Sequence, residues 1–102
     1  MSDKIYTIDE IKNLLEDVFR KYDVKSVTLF GSYARGEQVD KSDIDLVIDS
    51  DGKLINLSFY GLLEDVVQRL NKNIDMFEIS EIRKPSSIWD KISSEGVVIY
   101  ER

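Results

Sequence analysis

The sequence predicts an α/β fold in which helices pack on one mixed, four-stranded β-sheet. Two segments place apolar residues at the i, i+3, i+4, i+7 spacing of amphipathic helices. Short apolar runs of four to six residues alternate with them and are typical of strands. The order helix, strand, strand, helix, strand, helix, strand is typical of a sheet covered by helices. At 102 residues we expect one domain, spanning residues 1–102.

Three helices account for the amphipathic segments. Thr7 and Glu10 have the spacing of a capping box, which marks the start of the first helix. Gly61 weakens the first turn of the second helix. Pro85 precedes the third helix, which begins at Ser86 or Ser87. The predicted helices are Ile8–Tyr22, Phe59–Leu70 and Ser87 up to Gly96.

Four strands lie between and after these helices. A loop of about 12 residues, Gly31–Ser42, separates the first two strands, and so long a connection is more often functional than idle. The predicted strands are Ser26–Phe30, Ile44–Ile48, Ile74–Ile79 and Val97–Tyr100.

Composition restricts the chemistry that this chain can perform. It has no cysteine and no histidine, which excludes disulfides, thiolate metal sites and histidine-based catalysis. Catalysis must therefore use carboxylates, hydroxyls, lysine or arginine, and bound ions. A net charge of −6 argues against binding long nucleic acid, although a divalent ion can join acidic side chains to a nucleotide. We expect no membrane span and no secretory signal, and hence a cytoplasmic protein.

Acidic residues interrupt two of the predicted strands. Asp43 and Asp45 are two residues apart, so their side chains project from the same face of the strand Ile44–Ile48. Such a pair binds a cation or shifts its pKa values, and oxygen ligands suit Mg²⁺. Asp75 interrupts the third strand and reaches the same place if the two strands are neighbours. Glu78 faces the other side of that strand, which makes Asp75 the better third carboxylate.

A glycine and a serine follow the first strand directly. Gly31 permits a sharp turn and the close approach of a ligand to the main chain. The hydroxyl of Ser32 and neighbouring N–H groups can donate to phosphate oxygens. Taken alone, these two residues are better explained as a simple turn.

Together these residues resemble a known family. Gly31-Ser32, ten further residues and then Asp43-Ile44-Asp45 resemble the signature of polymerase-β-like nucleotidyltransferases. The full stretch GSYARGEQVDKSDIDL is similar to the minimal nucleotidyltransferase (MNT) group, and the third acid Asp75 and the ending ISSEGVVIYER also fit that group. The resemblance covers nearly the whole chain and implies a small nucleotidyltransferase fold.

The resemblance implies transfer of a nucleoside monophosphate from an NTP, usually ATP, with release of pyrophosphate. Gly31 and Ser32 would hold the terminal phosphates. Asp43 and Asp45 would ligate Mg²⁺, and Asp75 would complete the site, with two ions expected, and help deprotonate the acceptor hydroxyl. These three acids are thus the predicted catalytic and metal-binding residues.

The role of Arg35 stays open between two alternatives. Its guanidinium suits phosphate contacts, which makes it a candidate nucleotide-binding residue. Cations in loops are also common, and the residue is explained equally well as a solvated loop side chain.

The MNT group also implies a partner. MNT proteins commonly act as antitoxins for HEPN ribonuclease toxins, adding AMP to a tyrosine of the toxin. A binding antitoxin that neutralises its partner by occlusion is an alternative, and so is a subunit of a small-molecule nucleotidyltransferase. Three acids on one site favour the enzymatic hypothesis, because occlusion does not require them.

Overall fold

A computed structural model describes residues 5–54 and 57–102 of the chain. Helices and strands alternate in the predicted manner. In chain order the elements are α1 (Ile8–Lys21), β1 (Ser26–Phe30), α2 (Ser32–Arg35), β2 (Ile44–Asp49), α3 (Leu57–Leu70), β3 (Ile74–Glu78), a 3₁₀ turn (Ile79–Glu81), α4 (Ser87–Glu95) and β4 (Val97–Glu101).

The four strands form one mixed sheet in the order β3-β2-β1-β4. Strand β1 is antiparallel to both of its neighbours, β2 and β4, whereas β2 and β3 are parallel. The helix α3 lies between β2 and β3 in the chain and provides the crossover that parallel strands require. The predicted fold class, a mixed four-stranded sheet with helices packed on it, is confirmed.

The core lies where α1 and α3 cover one face of the sheet. The side chains of Ile44, Leu46 and Ile48 alternate along β2 and are completely buried on this side. Ile11 and Leu15 of α1 are also fully buried there. Asp45 lies on the opposite face of β2, as the two-residue period requires. Helix α4 packs on β1.

Local capping defines where the helices begin. The Thr7 hydroxyl oxygen accepts from the Glu10 N–H (3.1 Å), and the Thr7 N–H donates to the Glu10 carboxylate (2.9 Å). This is the predicted capping box. At α4 the Ser86 hydroxyl oxygen accepts from the Trp89 N–H (3.1 Å), so Ser86 is the capping residue and Ser87 the first helical one.

The structure corrects three of the predicted boundaries. The segment 31–42 is not an irregular loop throughout, because Ser32–Arg35 forms one helical turn between glycines. One turn is too short for apolar periodicity to reveal. The third strand ends at Glu78, since Ile79 begins the 3₁₀ turn, and α3 already includes Leu57. Within the two described ranges, no helix is both long enough and apolar enough to cross a membrane.

Candidate active site

One row of residues crosses three strands of the sheet and carries two acids. Phe30 of β1 pairs with Asp45 of β2, and Asp45 pairs with Asp75 of β3. Paired residues of neighbouring strands project to the same face, so the carboxylates of Asp45 and Asp75 lie side by side. The sequence predicts that Asp75 and Asp45 lie close together if the two strands are adjacent. Their parallel pairing fulfils that condition.

These acids line a cleft of about 410 Å³ at the end of the sheet. All six residues that the sequence analysis selected line this cleft. Four further residues complete the wall, and they come from β1, β3 and α4. The complete lining is Phe30, Gly31, Ser32, Arg35, Asp43, Asp45, Asp75, Phe77, Ile88 and Lys91.

Gly31 brings the main chain directly against Asp45. Its backbone has φ 79° and ψ −157°, a region that is essentially restricted to glycine. A Cβ atom at this position would overlap the Oδ2 atom of Asp45. The strand β1 therefore ends in a turn that only glycine permits, and Ser32 begins α2 at the edge of the cleft.

The surroundings of Asp45 disfavour its anionic form. Burial, the facing carboxyl group of Asp75 and the charge of Asp43 raise the pKa of Asp45 to about 6. The positive charge of Lys91 acts in the opposite direction. The site therefore holds more negative charge than it can stabilise alone, which is the condition under which carboxylates bind a proton or a cation.

The donor chemistry of this cleft fits a hard cation such as Mg²⁺. Asp45 and Asp75 offer carboxylate oxygens from adjacent strand positions, and such hard oxygen ligands suit this ion. Across residues 5–54 and 57–102, no group of three or more acidic side chains is arranged closely enough to hold a metal ion. The assignment of Asp43, Asp45 and Asp75 as a common ligand set therefore stays a prediction.

Arg35 makes contacts that the sequence analysis did not foresee. Its Nε donates to Glu37 (2.7 Å), and its Nη1 donates to both carboxylate oxygens of Glu95 (3.0 and 3.1 Å). The Gly31 N–H donates to the same Glu95 carboxylate (3.1 Å). Glu95 thus joins the end of α4 to the glycine turn and to α2.

The charges of this contact stabilise each other. Arg35, the Gly31 N–H and Lys91 hold the pKa of Glu95 below its usual range. Glu37 and Glu95 raise the pKa of Arg35 above its usual range. The Glu95 side chain is only 19% exposed, so this ion pair is less screened by solvent than an ordinary surface pair.

Helix α4 contributes residues to the cleft that the sequence analysis missed. Ile88 and Lys91 line the cleft, and Glu95 binds its glycine turn. The spacing 88, 91, 95 places all three residues on one face of the helix, and this spacing is visible in the sequence. Nothing local in the sequence, however, indicates that this face meets β1.

A sheet that aligns carboxylates beside a glycine-serine turn has the architecture of a nucleotidyl-transfer site. The family model described as "Polymerase beta, Nucleotidyltransferase" matches residues 11–102, and the chain belongs to this family. The resemblance stated from the motif is confirmed.

Relatives of similar length support this membership. A Methanocaldococcus jannaschii protein of the protein adenylyltransferase class, MJ0128, is 37% identical over 98 residues, covering 92% of this chain and 97% of its own. A second protein of that class from the same organism, MJ0604, is 46% identical, with 91% and 94% covered. Protein adenylyltransferase MntA of Thermococcus cleftensis is 28% identical, with 76% and 82% covered.

Solved structures show the same fold. A crystal structure of a toxin–antitoxin with AMP-PNP has a TM-score of 0.74 at 21% identity, covering 89% of this chain and 73% of that chain. A Shewanella oneidensis MNT antitoxin in complex with a tri-AMPylated HEPN toxin has a TM-score of 0.70 at 17% identity, with 94% and 74% covered. At these identities the likeness concerns the fold.

Proposed function

We propose that this chain is a Mg²⁺-dependent protein adenylyltransferase of the MNT type, which transfers AMP from ATP to a tyrosine hydroxyl of a HEPN ribonuclease toxin and so neutralises it. The observation that carries the proposal is the side-by-side placement of Asp45 and Asp75 opposite the turn of Gly31 and Ser32. The curated relatives are classed as protein adenylyltransferases, and structural neighbours include an MNT antitoxin with an AMPylated HEPN toxin.

The residues of the cleft have different roles in the proposed reaction. Gly31 and Ser32 bind the terminal phosphates of ATP. Asp43, Asp45 and Asp75 would hold magnesium, with two ions proposed, and such ions neutralise phosphate charge during an in-line displacement.

The bonds change in a single displacement. Asp75 accepts the proton of the acceptor hydroxyl, whose oxygen then attacks the α-phosphorus. The bond from that phosphorus to the bridging oxygen breaks, and pyrophosphate leaves with that oxygen. AMP remains esterified to the acceptor, so the atoms of ATP and of the hydroxyl are all accounted for.

The remaining parts of the proposal concern the setting of the reaction. Residues 1–102 act as one minimal nucleotidyltransferase domain in the cytoplasm, and the partner protein brings its own acceptor hydroxyl to the cleft. The net charge of −6 complements a basic, RNA-binding face of a ribonuclease and disfavours direct binding of long nucleic acid.

Transfer of label tests the proposal. The chain is incubated with its HEPN partner, Mg²⁺ and ATP labelled in the α-phosphate, and we expect label on a tyrosine of the partner by mass spectrometry. Asp45→Asn and Asp75→Asn should abolish this transfer. Asp40→Asn is the matched control, because Asp40 is an exposed loop acid outside the cleft.

Other outcomes identify the alternatives. Neutralisation of the toxin without any label on it would contradict the enzymatic proposal and favour occlusion. Transfer to a small hydroxylated molecule in the absence of the partner would favour a small-molecule nucleotidyltransferase.

A further inference from the structure

The cleft of the candidate active site is lined by two cationic side chains, and they differ in their contacts. Arg35 is engaged on both sides, by Glu37 at Nε and by Glu95 at Nη1. Lys91, on α4, also lines the cleft, and its side chain is solvent-exposed. In the part of the chain that the structure describes, the ammonium group of Lys91 forms no hydrogen bond or ion pair.

The contacts of Arg35 commit it to the protein rather than to a ligand. Moving its guanidinium to a phosphate would leave the Glu95 carboxylate, which is only 19% exposed, without its main cationic partner. A partly buried carboxylate that loses its cationic partner is destabilised. Arg35 therefore suits the task of fixing α2 and the glycine turn to α4.

Lys91 is placed to act on the contents of the cleft. It lies one helical turn before Glu95 on the same face of α4, and Glu95 is anchored to the Gly31 N–H. The same anchor that fixes the turn therefore fixes the part of α4 that carries Lys91. Its positive charge acts to lower the pKa of Asp45 and that of Glu95, although it forms no ion pair with either carboxylate.

A cation at this position suits the chemistry of the cleft. Lysine is a compact point charge on a flexible stem and is a common phosphate ligand. Three acids of the cleft, Asp43, Asp45 and Asp75, repel a triphosphate, and negative charge grows on pyrophosphate as its bond to the α-phosphorus breaks. A cation beside the leaving group offsets both effects.

We propose that Lys91 is the side chain that contacts the triphosphate and its leaving pyrophosphate, while Arg35 and Glu95 are positioning residues that hold the glycine turn. This inference rests on the proposed function and names a residue of the same site. Lys91 remains an ammonium throughout, so it adds no proton transfer to the displacement described above.

The test compares nucleotides that differ in the number of phosphates. Binding of a non-hydrolysable ATP analogue with Mg²⁺, and of AMP, is measured by calorimetry for the wild type, Lys91→Met and Lys91→Arg. Lys91→Met should weaken binding of the ATP analogue about tenfold or more and change AMP binding by less than about twofold. Lys91→Arg should restore most of the loss.

Controls separate this role from a structural one. Lys12→Met, an exposed lysine of α1 outside the cleft, should bind both nucleotides like the wild type. Arg35→Gln should lower the melting temperature, because it removes the ion pair with Glu95.

Three results would overturn the inference. One is wild-type binding of the ATP analogue by Lys91→Met. Another is an equal loss for AMP and the analogue, which would indicate a structural role. A wild-type chain that binds neither nucleotide would overturn the proposed function as well, so the two failures are distinguishable.

Discussion

Replacement of Gly31 by alanine tests the close contact between the glycine turn and Asp45 of β2. At φ 79° and ψ −157° a side chain is strained whatever the surrounding space, and such outliers cost about 1–3 kcal/mol. In a domain of this size each kcal/mol lowers the melting temperature by about 4–8 °C. The new Cβ would also overlap Oδ2 of Asp45, so the carboxylate must move.

Gly36 supplies a matched control at the other end of α2. It has a positive φ of 74° with ψ 19°, and a Cβ added there would meet no atom within 4 Å. Alanine in this left-handed conformation costs about 1–2 kcal/mol. Gly36→Ala therefore reproduces most of the backbone strain of Gly31→Ala without displacing an acid of the cleft.

The two variants are compared by urea unfolding and by transfer of labelled AMP. We expect both to lose stability by similar amounts, within about 2 kcal/mol of each other. Activity should separate them. Gly31→Ala should lose about 100-fold or more, because displacement of a catalytic group by about 1 Å has this effect, while Gly36→Ala should retain most of its activity. Equal activities in the two variants would refute the argument that Asp45 depends on the absence of a side chain at position 31.

Three further outcomes are expected. In metal-free buffer at pH 8, Asp45→Asn should be more stable than the wild type, on the order of 1 kcal/mol once solvent screening is allowed for, by urea unfolding. Because the folded structure raises the pKa of Asp45 from its ordinary value of 3.8 to about 6, the wild type should become less stable relative to Asp45→Asn as the pH rises from about 4 through 6. A pH-independent difference in stability between the two proteins would contradict this reasoning. Mg²⁺ should raise the melting temperature of the wild type more than that of Asp45→Asn, and equal shifts by differential scanning fluorimetry would argue against a metal at this residue. Thr7→Ala should cost about 1 kcal/mol in urea unfolding through loss of the capping box, without affecting AMP transfer, and an unchanged stability would show that the cap contributes little.

The parts of this protein that follow from its sequence are those that depend on local spacing. The capping box of Thr7 and Glu10 acts over three residues, and the apolar periods that define α1 and β2 act over one element. The expectation that Asp43 and Asp45 point to one side needs only the two-residue period of β-structure, and both residues line the cleft although β2 begins at Ile44. Most predicted boundaries therefore agree with the structure within two residues.

Pairings between distant segments could not be derived in this way. That Asp75 lies beside Asp45 depended on the order of the strands, which the sequence analysis had to assume. The contacts of Glu95 with Gly31 and Arg35 join residues 60 or more positions apart, and no local sequence pattern predicts them. The short helix after Gly31 could not be predicted for another reason, because a single helical turn is too short to show an apolar period.

The sequence by itself determined the candidate reactive groups: three acids and a glycine-serine turn, with no histidine or cysteine that would support another chemistry. Only the tertiary structure decided how the cations are used. Arg35 is held by two carboxylates, and Lys91 shares the cleft with the acids because α4 packs on β1. The physical reason is that the identity of a side chain is local, whereas the charge it faces is set by the packing of elements far apart in the chain.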